Sequence, residues 1–341
     1  MGAKQTFQEV ATETQEILSY EKNKADWLRR YRGYADKISA NLDSIRNNRR
    51  RFHAWSPLTF YLNTSNAQGA KKNVTLGVRY LGQTVAELTS NKDGVTLSTK
   101  PSKVRTNKRD FGCTDEMKNV PWTGKEARKF RAHFKNREPV RNKTDDNKGN
   151  EEHRLESLLL SKFAESESTN KALPNIKPVM IEGLFFPMPT PLSAANHGKI
   201  KYSGKSRGGI DIFARVGTGG RATYLCVIEL KDENTQEEPA TDTLEQAIAY
   251  TVFIRELLRS KIGPGWWKLF GFGGIIPKKL VLHSVCAMPD VGKIETSFAG
   301  EKICIGEDEI HLHYIYFKES ENKIEITRTS LSYGKQASVS Q

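Results

Sequence analysis

The sequence predicts an α/β (α+β) protein built on a mixed sheet with packed helices. Three observations carry that expectation. Helical and extended periodicities alternate in the order α-β-β-β-α-β between about residues 150 and 290. Two strand-like runs, 210–216 and 222–231, flank the turn signal Gly217-Thr218-Gly219-Gly220. The chain of 341 residues is also long enough to bury a sizeable core, with a second region left over before residue 142.

Residues 5–52 lack proline and space Ile17, Tyr20, Trp27, Leu28, Tyr31, Tyr34, Ile38, Leu42 and Ile45 at helical intervals, which predicts one long helix or two. From Leu58 to Leu97, short β-like runs between Asn, Gly and Asp predict a small antiparallel sheet. Residues 101–143 are the most basic stretch, with thirteen Lys or Arg against five Asp or Glu. There Ala127, Phe130 and Phe134 share one helical face, and Arg128, Lys129, Arg131 and Lys135 are left toward solvent, as a hydrated face or as phosphate contacts. The polar tract 142–152 marks the expected boundary. Before it lies an N-terminal helical and β region, 1–142, with a basic nucleic-acid-binding segment; after it come a domain over 150–331 and a disordered tail, 332–341.

Within the second domain the expected order is a helix over about 150–166, a Pro-interrupted β region at 176–186 and a loop at 187–209. The two strands follow, then a helix at 241–260 and a strand at 278–288. Further β runs at 303–317 and 323–331 extend the sheet.

Lys and Arg outnumber Asp and Glu by 53 to 40, so the net charge of +13 favours a polyanionic partner, nucleic acid or an anionic membrane surface. No apolar run approaches the roughly 18–20 residues needed to span a bilayer, and residues 271–285 are broken by Pro277, Lys278 and Lys279. The N-terminus lacks the basic-then-apolar pattern of a secretory leader, so a cytoplasmic protein without a membrane partner is expected. Cys113, Cys226, Cys286 and Cys304 form no C-x-x-C pair and read as reduced thiols.

The chemistry concentrates in 208–231. Hydrolysing a phosphodiester requires charge neutralisation at the phosphate oxygens and a hydroxide near neutral pH, both of which a carboxylate-held Mg²⁺ supplies. Alternation along a strand projects Glu229 and Lys231 to one side, with Leu230 opposite. A wide turn over 217–223 would set Asp211 across from Glu229; a tighter one would move that partner to Cys226. The bare E-x-K spacing is cheap, since Glu116-Met117-Lys118 and Glu321-Asn322-Lys323 repeat it. Only the Glu229 copy ends an apolar strand, after an Asp at the start of a partner strand.

A helix with a Glu, then Asp211, then Glu229-x-Lys231, then a helix with Gln246-Ala-Ile-Ala-Tyr250 resembles the PD-(D/E)XK nuclease superfamily. The Q-x-x-x-Y spacing is similar to its RecB-like branch. The resemblance covers about residues 150–290. It implies a restriction-endonuclease-like αβββαβ core, a Mg²⁺ site (Mn²⁺ substituting) held by Asp211 and Glu229, and Lys231 positioning or activating water. Gln246 and Tyr250, four apart on one helix face, would border the site and touch nucleic acid. Gly209-Ile210 stands where the family name has proline. The helix Glu is Glu151, Glu152 or Glu156; similarity to an E-x-x-L-E pattern selects Glu152 as the further catalytic carboxylate.

Three weaker signals remain. His311 and His313 alternate on a strand, with Cys304 or Cys286 as companions, but lack the paired C-x-x-C that makes a zinc pattern specific. The run Gly-Pro-Gly-Trp-Trp-Lys-Leu-Phe-Gly-Phe-Gly-Gly, 263–274, reads as an aromatic loop that packs over a sheet edge or stacks on bases. Lys199, Lys201, Lys205 and Arg207 precede Asp211, either as a cationic wall of the substrate groove or as a plain surface loop. The expected function is a Mg²⁺-dependent DNA endonuclease of restriction or defence type acting on double-stranded DNA, conceivable as a homodimer. The rival readings are a repair exonuclease, a non-catalytic nucleic-acid binder on the same scaffold, and a protein-interaction module.

Overall fold

A computed structural model describes residues 6–52, 57–63, 74–99, 111–113, 116–136, 148–164, 176–194, 200–204, 208–220, 222–232, 239–292 and 294–331. The expected disordered tail at 332–341 and much of the basic stretch 101–143 lie outside them. Thr6 and Glu9 open α1 (Phe7–Ser19) as a reciprocal capping box, each side chain satisfying the other's backbone N–H. The helical pattern then resolves as two helices, because the chain turns extended at Tyr20 before α2 (Glu21–Phe52) begins. Tyr20 is 64% exposed at that break, outside the buried stripe that periodicity assigned to it.

The β-rich stretch forms the expected antiparallel sheet: β1 (Leu58–Asn63), β2 (Thr75–Tyr80), β3 (Gln83–Asn91), β4 (Gly94–Ser98) and β5 (Val120–Pro121) pair in sequence. After α3 (Lys125–Lys135) and α4 (Lys148–Ala164) come β6 (Lys177–Pro178), β7 (Met180–Ile181) and β8 (Leu184–Phe185). Tyr61 of β1 pairs in parallel with Phe185 of β8, so residues from beyond the expected boundary complete the N-terminal sheet.

The second sheet joins β6, β9 (Ile212–Gly219), β10 (Ala222–Leu230), β11 (Val281–Pro289), β12 (Lys302–Ile305), β13 (Asp308–Ser320) and β14 (Lys323–Thr329). Neighbours run β12-β13-β11-β10-β9-β6, with β14 also on β13. Two short ladders, 189–190 with 208–209 and 192–193 with 201–202, shape the connection into β9. The pairings of β10 with β11 and of β11 with β13 are parallel and the rest antiparallel, which makes the sheet mixed. The helix α5 (Ala240–Arg259) supplies the crossover between β10 and β11.

Strand alternation splits the core in two. Leu225, Val227, Leu282 and Leu312 face α5, whereas Ile212, Ala214, Ile228, Val285 and Ile315 face Leu155, Leu159 and Phe163 of α4. Helices therefore cover both faces of the mixed sheet.

The boundary expected at 142–150 does not separate two cores. One hydrophobic cluster runs from Val10 and Trp27 through the first sheet to Phe253 and Leu312. The Trp27 ring meets Phe253 edge-on at 5.9 Å, and Gln15 donates to Glu256 at 3.0 Å, fastening α1 and α2 to α5. A polar tract signals a surface connection but cannot show whether its flanks share a core.

The aromatic run at 263–274 also differs from the loop expected of it. Pro264 in the first turn starts a short helix, α6 (Gly263–Leu269). Trp266 is fully buried near Tyr31, Phe186 and Phe270, and Trp267 stacks on Phe272 with ring centroids 4.0 Å apart. The Trp pair is core, which removes the base-stacking option for it. No helix among the described residues is long and apolar enough to cross a membrane.

Candidate active site

The site forms where β9 begins and β10 ends. Ile212 stands opposite Ile228, and the same antiparallel register extended by one residue sets Asp211 against Glu229. The strands pair as far as Gly219 and Ala222 across a tight turn, and a bulge between Gly217 and Gly219 shifts the register by one residue, which moves the partner of Asp211 from Leu230 to Glu229. The Asp211 carboxylate accepts the Leu230 backbone N–H at 2.9 Å, pinning the strand start to the strand end. Glu229 is 2% exposed and Lys231 7% exposed, and Lys231 donates its own backbone N–H to the Ala287 carbonyl of β11.

Burial dominates the electrostatics. It pushes Asp211 up to about 7, with Glu152 and Glu156 adding to the rise and the Leu230 N–H opposing it. Burial also holds Glu229 well above the usual carboxylate range, reinforced by the charge of Asp211 and by a hydrogen bond shared with it; Lys231 pulls the other way. Glu152 is likewise raised by burial and lowered by Lys231. Four side chains from α4, β9 and the end of β10 thus feel one another. Glu229 Oε1 is buried with no hydrogen-bond partner among the described residues. A buried acid pair with an orphaned oxygen carries a large desolvation penalty, and a cation between the carboxylates would remove it.

Among the three helix glutamates the geometry separates two. Glu156 ion-pairs with Arg79 of β2 at 3.3 Å and accepts from His153 at 3.2 Å, so its carboxylate is committed to the first sheet. Glu152, a turn earlier, is the one whose charge couples to Lys231. The side chain of Glu151 lies outside the described residues.

Gln246 and Tyr250 occupy one face of α5, with Gln246 donating to the Tyr250 hydroxyl at 3.4 Å. Burial raises the Tyr250 phenol, Glu229 adds to the rise, and the Ala194 backbone hydrogen-bonds the hydroxyl. Tyr250 thereby links the acid pair to the loop at 187–209. Gly208 makes this approach sterically feasible: a Cβ there would stand 2.3 Å from the Leu192 carbonyl oxygen and 3.4 Å from the Tyr250 hydroxyl. Lys199, Lys205 and Arg207, assigned to the cationic wall, lie outside the described residues; Lys201 is exposed on a short strand.

The basic helix α3 needs one correction. Arg128, Lys129 and Lys135 are exposed as expected, but Arg131 is buried. Its guanidinium sits 4.6 Å from the centroid of the Trp122 ring and donates to the Trp122 carbonyl. A helix-face count cannot foresee that an aromatic residue before the helix will draw one arginine inward.

The sequence reading missed Asp232, which is 5% exposed and raises Glu152, and His153, which interacts electrostatically with Asp211. The adjacency of Asp232 to Lys231 was the available signal, but strict alternation would have turned it away. Regular pairing stops at Leu230, so alternation no longer applies there.

The described chain is a mixed α/β protein with a buried carboxylate–lysine cluster at the edge between two strands and two helices. No protein-family model, curated protein or solved structure matches it.

Proposed function

We propose that this chain is a divalent-metal-dependent nuclease with a restriction-endonuclease-like core, hydrolysing phosphodiester bonds of DNA. The observation that carries the reading is the pairing of Asp211 with the buried Glu229, whose Oε1 lacks a partner among the described residues, beside Lys231 and Glu152. All-oxygen donors suit Mg²⁺ or Mn²⁺. Asp211 and Glu229 would hold the ion, which when bound supplies Lewis acidity and a water of lowered pKa.

The chain's own residues do the rest. Lys231 places an ammonium beside the acid pair, where it stabilises negative charge and orients water. Glu152, whose charge couples to Lys231, is available to accept a proton or a water hydrogen bond. Gln246 presents a hydrogen-bonding group at the rim, backed by the buried Tyr250, and Arg128, Lys129 and Lys135 offer exposed charge for the backbone of a duplex. Incubating the chain with circular and linear DNA, with and without Mg²⁺ or Mn²⁺, tests the proposal. Metal-dependent opening of the circle is expected, and uncut DNA in both metals would refute it.

The acid pair also makes stability depend on pH. The Asp211 proton binds more tightly in the folded state, near 7, than at its ordinary 3.8. Its contribution is therefore full below about 4 and is lost as pH rises through about 7, with each tenfold difference in proton affinity amounting to about 1.4 kcal/mol. In chelator, the Tm of the wild type is expected to fall across this window. Asp211→Asn should lessen the fall, and Mg²⁺ should flatten it in the wild type but not in the variant. A wild-type Tm that rises over the window would contradict the assignment.

Replacing Arg128, Lys129 and Lys135 together by Ser is expected to weaken DNA binding and reduce the slope of log K against log salt by up to about three. Arg131→Ala should instead lower Tm through the lost Trp122 contacts, with the slope unchanged. An unchanged slope in the triple variant would make α3 a bystander.

A further inference from the structure

On the sheet face opposite the acid pair, three histidines from two adjacent strands converge. His283 of β11 lies directly beside His311 of β13 in the parallel register, and His313 follows two residues on. One ring nitrogen from each lies within 4.8 Å of the other two, and His283 Nδ1 is 2.9 Å from His313 Nε2. The ring centroids are 5.3 Å apart for His283 and His311, and 5.0 Å apart for His283 and His313. Tetrahedral zinc with Zn–N bonds of about 2.0–2.1 Å needs nitrogens about 3.3–3.4 Å apart, slightly wider than the 2.9 Å His283–His313 pair and inside the 4.8 Å that bounds all three.

The surroundings hold two of the rings as metal ligands are usually held. His311 Nε2 is 2.9 Å from Glu309, which leaves its Nδ1 as the inward donor, and Lys279 fixes that carboxylate from the other side at 2.6 Å. His313 Nδ1 is 3.2 Å from the Ser330 hydroxyl, which leaves Nε2 facing His283. Such outer partners set ring tautomer and orientation. Tyr224 packs against His283, whose ring is buried, while His311 is partly exposed and gives an ion a route in.

We infer that His283, His311 and His313 form a second metal centre, a three-imidazole site for Zn²⁺ that ties β11 to β13. Imidazole donors favour Zn²⁺ and its Co²⁺ mimic over Mg²⁺, so this centre differs in kind from the all-oxygen acid pair on the other face. Three protein ligands leave a fourth position for water or an incoming donor. The inference stands whether or not the chain cleaves DNA. Cys286, considered with these histidines on sequence grounds, alternates to the α5 face and takes no part.

The test loads chelator-treated protein with Zn²⁺, removes excess by gel filtration, counts bound zinc, and records the visible spectrum of a Co²⁺-loaded sample. One zinc per chain and an intense tetrahedral Co²⁺ spectrum are expected for the wild type and for Asp211→Asn. His311→Gln, at a partly exposed position, should lose at least about a hundredfold in zinc affinity, and Glu309→Gln about ten- to a hundredfold by unfixing the ring. Zinc retained by His311→Gln at wild-type affinity, or zinc lost from Asp211→Asn instead, would overturn the inference.

Discussion

Asp211→Ala is expected to bind DNA with near wild-type affinity and to cut it at least about a hundredfold more slowly, because a metal's stabilisation of developing charge is worth several kcal/mol. The split between binding and cleavage is the informative part. Asp211 is half-buried, and its carboxylate is engaged by the Leu230 N–H and by the neighbouring Glu229, so it offers little surface with which to hold the duplex. Gel-shift affinity in chelator and single-turnover cleavage in Mg²⁺ measure the two quantities separately. Cleavage within a few-fold of wild type would place the chemistry elsewhere. A parallel loss of binding would mean that the strand junction itself had failed, which a Tm in chelator would reveal.

Lys231 is expected to show the second large effect. Lys231 is 7% exposed and its charge acts on Glu152 and Glu229, so it acts with little screening. Lys231→Met should reduce cleavage about 10²–10³-fold, the range typical of removing one preorganised stabiliser of transition-state charge. Lys231→Arg keeps the charge in a planar, bulkier form and should retain a fraction of activity. Mg²⁺ affinity read from the Tm shift should change little in Lys231→Arg. If both variants cleave within a few-fold of wild type, Lys231 serves only as a counter-charge for the buried acids.

Much of the site was legible because its geometry is local. Two strands and one turn put Asp211 opposite Glu229, and the open question was the register, which a one-residue bulge between Gly217 and Gly219 decides beside a tight turn. Glu152 could be preferred only by analogy. What separates it from Glu156 is Arg79, a residue of the first sheet that no motif links to α4. The histidine centre was half legible for the same reason. His311 and His313 share a strand, but His283 reaches them through a parallel pairing across a crossover, and parallel register leaves no short-range trace in a sequence. The fate of Arg131 and of the Trp266 loop likewise depended on partners distant in the chain.

The clasp of α1 on α5 and the pairing of β1 with β8 also bear on how the chain reaches this state during synthesis. The N-terminal helices and first strand are made early, yet Tyr61 waits for Phe185, and Trp27 waits for Phe253. Until α5 has emerged, the apolar faces of α1 and α2 have only incomplete partners, and until β8 has emerged β1 keeps an open edge. Domain-by-domain folding behind the ribosome is thus closed to this chain, and its final collapse must be a late event dominated by distant contacts. Such a nascent chain has a long interval in which to pair wrongly, so its yield should depend more on temperature and chaperone supply than that of a protein whose halves mature independently.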